Sequence, residues 1–440
     1  MQNKSLQIRS TFVHCLADPS IEDAAVEHLA DGVLSIENGH VTSLAQFDPS
    51  IHKNEQYNDP YIDLRGKVIV PGFVDTHIHY PQLDIIASYG EQLLQWLEKY
   101  TFPKEASFGD EAVASSAAEF FLDELISNGT TTALVFGTTH KESVEAFFNA
   151  ALKRKLRMIC GKVMMDRNAP NNICDTPQSG YDDSKALIEK WHNKDRLGYA
   201  VTPRFAPTSS SEQLAMAGKL LREYPTVHLH THISENQDEC DWVAKLFPQS
   251  DDYLSVYETH GLVKKRSVFA HGLHLSDSEW QRISEADAAV AHCPCSNLFI
   301  GSGLFNAKKA FEHKVNWGLG SDVGGGDSFS LLRVCNEAYK VQQLQGNKLS
   351  PLDALYRATL GGAVALDLDH HIGNFETGKE ADFVVLDPQA TPLLKRRSNS
   401  INYWQDQLFA LLMLGDDRAV YDTYIMGQSV KRKATMLDDV

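Results

Sequence analysis

The stretch Lys67-Val68-Ile69-Val70-Pro71-Gly72-Phe73-Val74-Asp75-Thr76-His77-Ile78-His79 decides how the rest of the chain is read. It opens as a β-branched apolar run, breaks at Pro71-Gly72, and resumes as a second run that ends in two histidines. Continuous apolar runs of strand length are what a parallel sheet, covered on both faces, requires. Runs of the same kind recur at Thr131–Phe136, Met158–Val163, Tyr199–Arg204, Val227–His230, Ser267–His271, Ala288–His292 and Trp317–Asp322. With the Val68 run they make about eight.

Helical segments lie between them. Glu111 to Ser127 places Ala117, Phe120, Phe121, Leu125 and Ile126 toward one side, and Asn128-Gly129 supplies a stop. Ser143–Leu156, Lys185–Trp191, Glu212–Tyr224 and Trp242–Phe247 are further helical candidates. Strands alternating with helices predict an α/β protein with a (β/α)8 TIM-type barrel over 66–371. The competing architecture is an open doubly wound sheet; no G-x-G-x-x-G follows any strand, which disfavours it. The ends differ. Gly32–Ile36 before Glu37-Asn38-Gly39, Phe383–Leu386 after Gly378–Asp382, and Tyr424–Met426 before Gly427-Gln428 read as short strands with turns. Chain ends often lie close together, so residues 1–65 with 372–440 are expected to form one small β-sandwich domain.

The 440 residues carry 41 Lys+Arg against 58 Asp+Glu, a formal net charge of −17. That balance argues against nucleic acid or an anionic membrane as the main partner. With 43% hydrophobic and 22% charged residues, the composition is that of a globular protein. No apolar run approaches the roughly 18 residues needed to cross a bilayer. Lys4 and Arg9 precede only a short apolar stretch that contains His14, which is not the pattern of a signal peptide. Seven scattered cysteines, with no leader, fit a reducing cytoplasmic setting.

The chemistry concentrates at strand ends. In a strand, residues i and i+2 point the same way, so His77 and His79 can reach one cation at the carboxyl end of the first run. An H-x-H pair alone is weak, because two histidines are more often a surface or core pair. Here other runs end in matching donors: His228, His230 and His232 alternate on one, His271 closes the next, and Asp322 closes the last. Imidazoles with a carboxylate suit Zn²⁺ or Fe²⁺ better than Mg²⁺ or Ca²⁺. Cys293-Pro294-Cys295 has the wrong spacing for a zinc ribbon, and H-E-x-x-H is absent. His140-Lys141-Glu142 matches a fragment of another zinc-deaminase signature, but the P-C-x-x-C half fails, so His140 reads as a turn residue. Glu235, three residues beyond His232, is placed to shuttle a proton during hydrolysis; the plainer alternative is an acid at a helix start.

The pattern P-G-F-V-D-x-H-x-H, followed by H-x-x-E, A-H-G and G-S-D, resembles the metal-dependent amidohydrolase superfamily. The strings at Pro71–Gln82, Gly90–Glu105, Gly161–Pro170, Thr202–Pro207 and Ser302–Phe305 are similar to its guanine deaminase branch, over nearly the whole chain. The resemblance implies hydrolysis of guanine to xanthine and ammonia, a step of purine catabolism, with one Zn²⁺ per chain. It implies His77, His79, His232 and Asp322 as metal ligands, and Glu235, His271 and Asp322 as catalytic residues. It further implies Gln82 and Arg204 as the polar pair that reads the purine, with Phe205 against the ring, and a homodimer.

These roles are chemically sensible. An arginine fork donates to a purine oxo group, a glutamine amide both donates and accepts, and aromatic rings stack on the base. The bland alternatives are a loop cap for Gln82 and a surface ion pair for Arg204. Trp96, Tyr100 and Phe102 are either pocket walls or ordinary core aromatics. Many relatives hold a second metal through a lysine on the fourth strand; here the fourth run ends at Arg204 and Lys162 lies on the third, which favours a single metal. Two other functions stay open: hydrolysis of another heterocycle such as adenine, cytosine or a triazine, and a non-catalytic relative that only binds partners.

Overall fold

The computed structural model describes residues 5–21, 25–52 and 61–431. Lys4, and the parts of the expected end-built domain at 1–4, 22–24, 53–60 and 432–440, lie outside the described residues.

Strands β1 (Ser5–Cys15), β2 (Val26–Glu37), β3 (His40–Gln46) and β4 (Tyr61–Pro71) come first. The barrel follows with β5 (Phe73–His79), β6 (Thr130–Phe136), β7 (Arg157–Gly161), β8 (Val163–Met164), β9 (Gly198–Pro203), β10 (His228–Ile233), β11 (Ser267–His271), β12 (Ala289–His292) and β13 (Asn316–Leu319). The chain then returns to the first sheet as β14 (Phe383–Leu386), β15 (Val420–Ile425) and β16 (Gln428–Ser429).

Eight strands pair in parallel in the order β5-β6-β7-β9-β10-β11-β12-β13, with the short β8 also on β9. The ring is joined just past β13, where Asp322 N donates to His77 O at 2.9 Å and His79 N donates to Val323 O at 3.0 Å. Every residue of β5, β6, β10, β11 and β12 is buried. That double-sided burial is why these runs are apolar without alternation.

The two ends build one continuous sheet in the order β16-β15-β14-β4-β1-β2-β3, parallel between β1 and β4 and antiparallel elsewhere. The Val68-Ile69-Val70 run, expected to open the barrel, belongs to this sheet: Val70 pairs with Val384 and Ile69 with Val385. The barrel's first strand begins at Phe73 instead. The chain changes partners at Gly72, whose N donates to Asp382 O, while Phe73 N donates to Gly129 O. A Cβ at Gly72 would stand 2.1 Å from Thr131 Oγ1, so the switch demands glycine.

The helix Glu111–Ser127 ends where expected, with Asn128 as its cap. Its inward stripe is Ala114, Ala118, Phe121, Leu122 and Leu125. Phe120 was expected on that stripe but is 54% exposed. One residue is a 100° turn, and the narrow helical stripe that faces the barrel takes Phe121 only.

Candidate active site

The histidines of β5 and β10 converge because period-2 alternation aims His77, His79, His230 and His232 into the barrel mouth. His79 Nε2 lies 3.2 Å from His77 Nε2 and 3.3 Å from His232 Nε2. Asp322 Oδ1 is 3.2 Å from His77 Nε2 and 3.3 Å from His79 Nε2. All four side chains are at most 9% exposed. The structure thus brings the four expected ligand residues to one point.

The donor chemistry fits a cation. Burial pushes His77 and His232 to lower pKa values and His79 down to about 3, so the three rings are neutral. His232 Nδ1 is 2.7 Å from Arg204 O, an atom that only accepts, so the proton sits on Nδ1 and Nε2 is a bare lone pair. His77 Nδ1 is likewise engaged, 2.7 Å from His230 Nε2. Burial by itself would raise the Asp322 carboxyl, but the imidazoles of His77, His79 and His271 that face it outweigh this and hold the group ionised, well below the usual range. Lone pairs and an ionised carboxylate facing one another at these distances repel unless a cation lies among them.

Beside this cluster, Glu235 Oε2 lies 3.3 Å from His271 Nε2, and Asp322 Oδ2 lies 3.8 Å from the same nitrogen. His271 Nδ1 is 2.8 Å from Asn297 Oδ1, which leaves Nε2 as its acceptor; Nε2 has no hydrogen-bond partner among the described residues. Burial, reinforced by the charge of Asp322, pushes the Glu235 carboxyl up to about 8. Glu235 thus holds a proton at neutral pH next to a base, with Ser302 Oγ donating to its Oε1 at 3.3 Å.

A partly open cavity lies on this centre, lined by His79, His232, Glu235, His271 and Asp322. Gln82, Arg204 and Phe205 also line it, with Trp96, Leu97 and Ile300 as apolar walls. Gln82 and Arg204 are buried rather than surface residues, at 4% and 2% exposure. Of the aromatics left open by sequence, Trp96 lines the cavity and Phe102 lies under Arg204, whose Cζ is 5.7 Å from its ring centre. Tyr100 instead donates its hydroxyl to Tyr89 O.

Sequence reasoning missed Glu105, Asn297, Ser302 and the buried Cys293, whose sulfur lies within 4.8 Å of ligand atoms of His77, His271 and Asp322. Glu105 had one available signal, since a buried arginine such as Arg204 demands a carboxylate somewhere. Of the remaining histidines, His228 Nε2 donates to Leu366 O, and His140 caps the helix Lys141–Arg154 without reaching the cluster. Lys162 is paired with Asp175.

The amidohydrolase family profile matches residues 68–430. The chain is 52% identical over 428 residues to guanine deaminase of Escherichia coli strain K12, covering 96% of this chain and 97% of that one. The solved E. coli guanine deaminase superposes with a TM-score of 0.95 at 51% identity, covering 97% of this chain and 99% of that one. Guanine deaminase from C. acetobutylicum, solved with guanine bound in the active site, superposes with a TM-score of 0.89 at 29% identity, covering 97% and 100%. With a barrel closed around converging histidines and a family match over most of its length, the chain belongs to the amidohydrolase family.

Proposed function

We propose that the chain is a metal-dependent aminohydrolase that converts guanine and water to xanthine and ammonia. The observation that carries this reading is one cavity holding both a His/Asp cation site with a protonated Glu235 and a buried Arg204–Gln82 pair suited to a purine edge. Full-length similarity to proteins named guanine deaminase supports it.

His77, His79, His232 and Asp322 would hold a single Zn²⁺, which when bound supplies Lewis-acid activation of water and stabilisation of developing charge. The remaining work falls to the chain. Asp322 and the bare Nε2 of His271 assist removal of the attacking water's proton. Glu235 delivers its proton to a ring nitrogen, which makes C2 more electrophilic. The carboxylate so formed takes up the proton released by the attacking water and passes it to the exocyclic amine, which leaves as ammonia; the adduct's hydroxyl proton restores the acid as the C2 carbonyl forms. His271 hydrogen-bonds the oxygen of the tetrahedral adduct. Arg204 donates to the base, Gln82 pairs with its edge, and Phe205 packs against its ring.

In this reading the barrel is catalytic and the end-built sheet is structural, with the boundary at Pro71-Gly72 where β4 leaves that sheet. A homodimer and a cytoplasmic location belong to the same reading. The first rests on the family resemblance and is tested by sedimentation velocity. The second is supported by seven free cysteines and by the lack, among the described residues, of a helix long and apolar enough to cross a membrane.

The test is ammonia release from guanine by purified protein of known metal content, alongside adenine, cytosine and a triazine. Guanine is expected to be the preferred substrate. Chelator treatment should abolish release and zinc should restore it. Full activity in metal-free protein, or preference for another base, refutes the proposal.

A further inference from the structure

Glu105 closes the short helix Phe102–Glu105 and is 1% exposed. Its carboxylate accepts three hydrogen bonds, all from Gln82 and Arg204, two polar residues that line the cavity. Arg204 Nη1 donates to Oε1 at 3.0 Å and to Oε2 at 2.8 Å, and Gln82 Nε2 donates to Oε1 at 3.0 Å. A carboxylate can only accept, so only the NH₂ end of the Gln82 amide can face it. The amide oxygen is therefore turned away from the carboxylate, and no donor among the described residues hydrogen-bonds to it. Arg204 is engaged through one nitrogen alone; its Nη2 and Nε make no hydrogen bond among the described residues. The cavity is left with a fixed acceptor beside fixed donors.

We propose that Glu105 is a positioning residue that sets this polarity, so that the site accepts a heterocycle edge carrying an oxo group next to a ring N–H and rejects an edge carrying an amine next to a bare ring nitrogen. The inference rests on the guanine reading and deepens it. Guanine offers the first kind of edge at O6 and N1–H. 2,6-Diaminopurine offers the second: its amine would face the Arg204 donors, and its N1 lone pair would face the Gln82 oxygen. A buried donor against a donor, or acceptor against acceptor, carries the full desolvation cost of both groups. Charge also matters: Glu105 is the counter-ion that lets Arg204 stay buried.

Glu105→Gln removes the constraint, because an amide can offer either end and Gln82 is then free to turn over. The experiment uses zinc-loaded wild type and Glu105→Gln. It compares the guanine KM, from ammonia release, with the Ki of 2,6-diaminopurine as a competitive inhibitor. The ratio Ki/KM is expected to fall about tenfold or more in the variant, with kcat less affected than KM. A general structural lesion weakens both ligands together and leaves the ratio fixed. An unchanged ratio overturns the inference. If Glu105→Gln does not accumulate as folded protein, Glu105→Asp is read the same way, because its shorter carboxylate cannot hold both partners; a fall of about threefold supports the role and no change overturns it. Wild-type protein inactive on guanine refutes the function itself and takes this inference with it; an active wild type with an unchanged ratio refutes the role of Glu105 alone.

Discussion

In the proposed function Glu235 is the proton shuttle, and its surroundings suit that role because they are unusual for a carboxylate: buried, near the charge of Asp322, with a pKa pushed up to about 8. Glu235→Gln keeps the shape and removes the transferable proton. Its kcat should fall by roughly 10²–10⁴ with metal content unchanged; near-normal turnover would refute the shuttle role. The surrounding backbone is held in a sparsely populated region: Ser234, His271 and Asp322 have φ of 48°, 75° and 50°. Each such residue costs about 1–3 kcal/mol and persists only when its surroundings over-determine it. Glu235 was legible from its place after His232. These left-handed turns were not, because none of the three positions is a glycine.

At the scale of the element, Glu239 shows how a helix start supports the site. It belongs to the first turn of the helix Gln237–Leu246, and its Oε2 accepts from Glu235 N at 2.8 Å and Asn236 N at 3.1 Å. Tyr253 donates to its other oxygen at 2.6 Å. A helix N-terminus favours an ionised acid, yet burial and then the neighbouring Glu235 push this carboxyl up to about 7. The folded value is raised, so its stabilisation is complete below the unfolded value near 4.5 and is lost as pH rises through about 7. The shift is worth roughly 3 kcal/mol. Glu239→Gln, isosteric with the protonated acid, should flatten the loss of melting temperature between pH 4.5 and 7; an unchanged slope counts against this account. The acidic run Glu235–Glu239 was visible in sequence, but burial that reverses the usual ionisation was not.

For the whole molecule, the question is what fixes the end-built sheet to the barrel. Arg196, just before β9, donates to Glu380 Oε2 at 2.7 Å and also pairs with Asp382. Arg157, which opens β7, donates to Glu380 at 2.8 Å. Arg196 and both acids are at most 8% exposed. Removing one partner of a buried charge cluster strands the others, so Arg196→Met should lower stability by about 3–5 kcal/mol. Denaturant unfolding measures it, and a change below about 1 kcal/mol would count against the cluster as the anchor.

The sequence alone determined the barrel, the convergence on His77, His79, His232 and Asp322, and the place of Glu235. Apolar strand runs and period-2 spacing are local consequences of backbone geometry, and a single chain displays them. Tertiary structure alone decided that Val68–Val70 leave the barrel for the end sheet, that Phe120 turns to solvent, and that Glu105 stands between Gln82 and Arg204. Each of those depends on which distant backbone edge, face or charge lies alongside, such as Val384 opposite Val70 or Arg204 opposite Glu105, and no stretch of sequence contains its own neighbours.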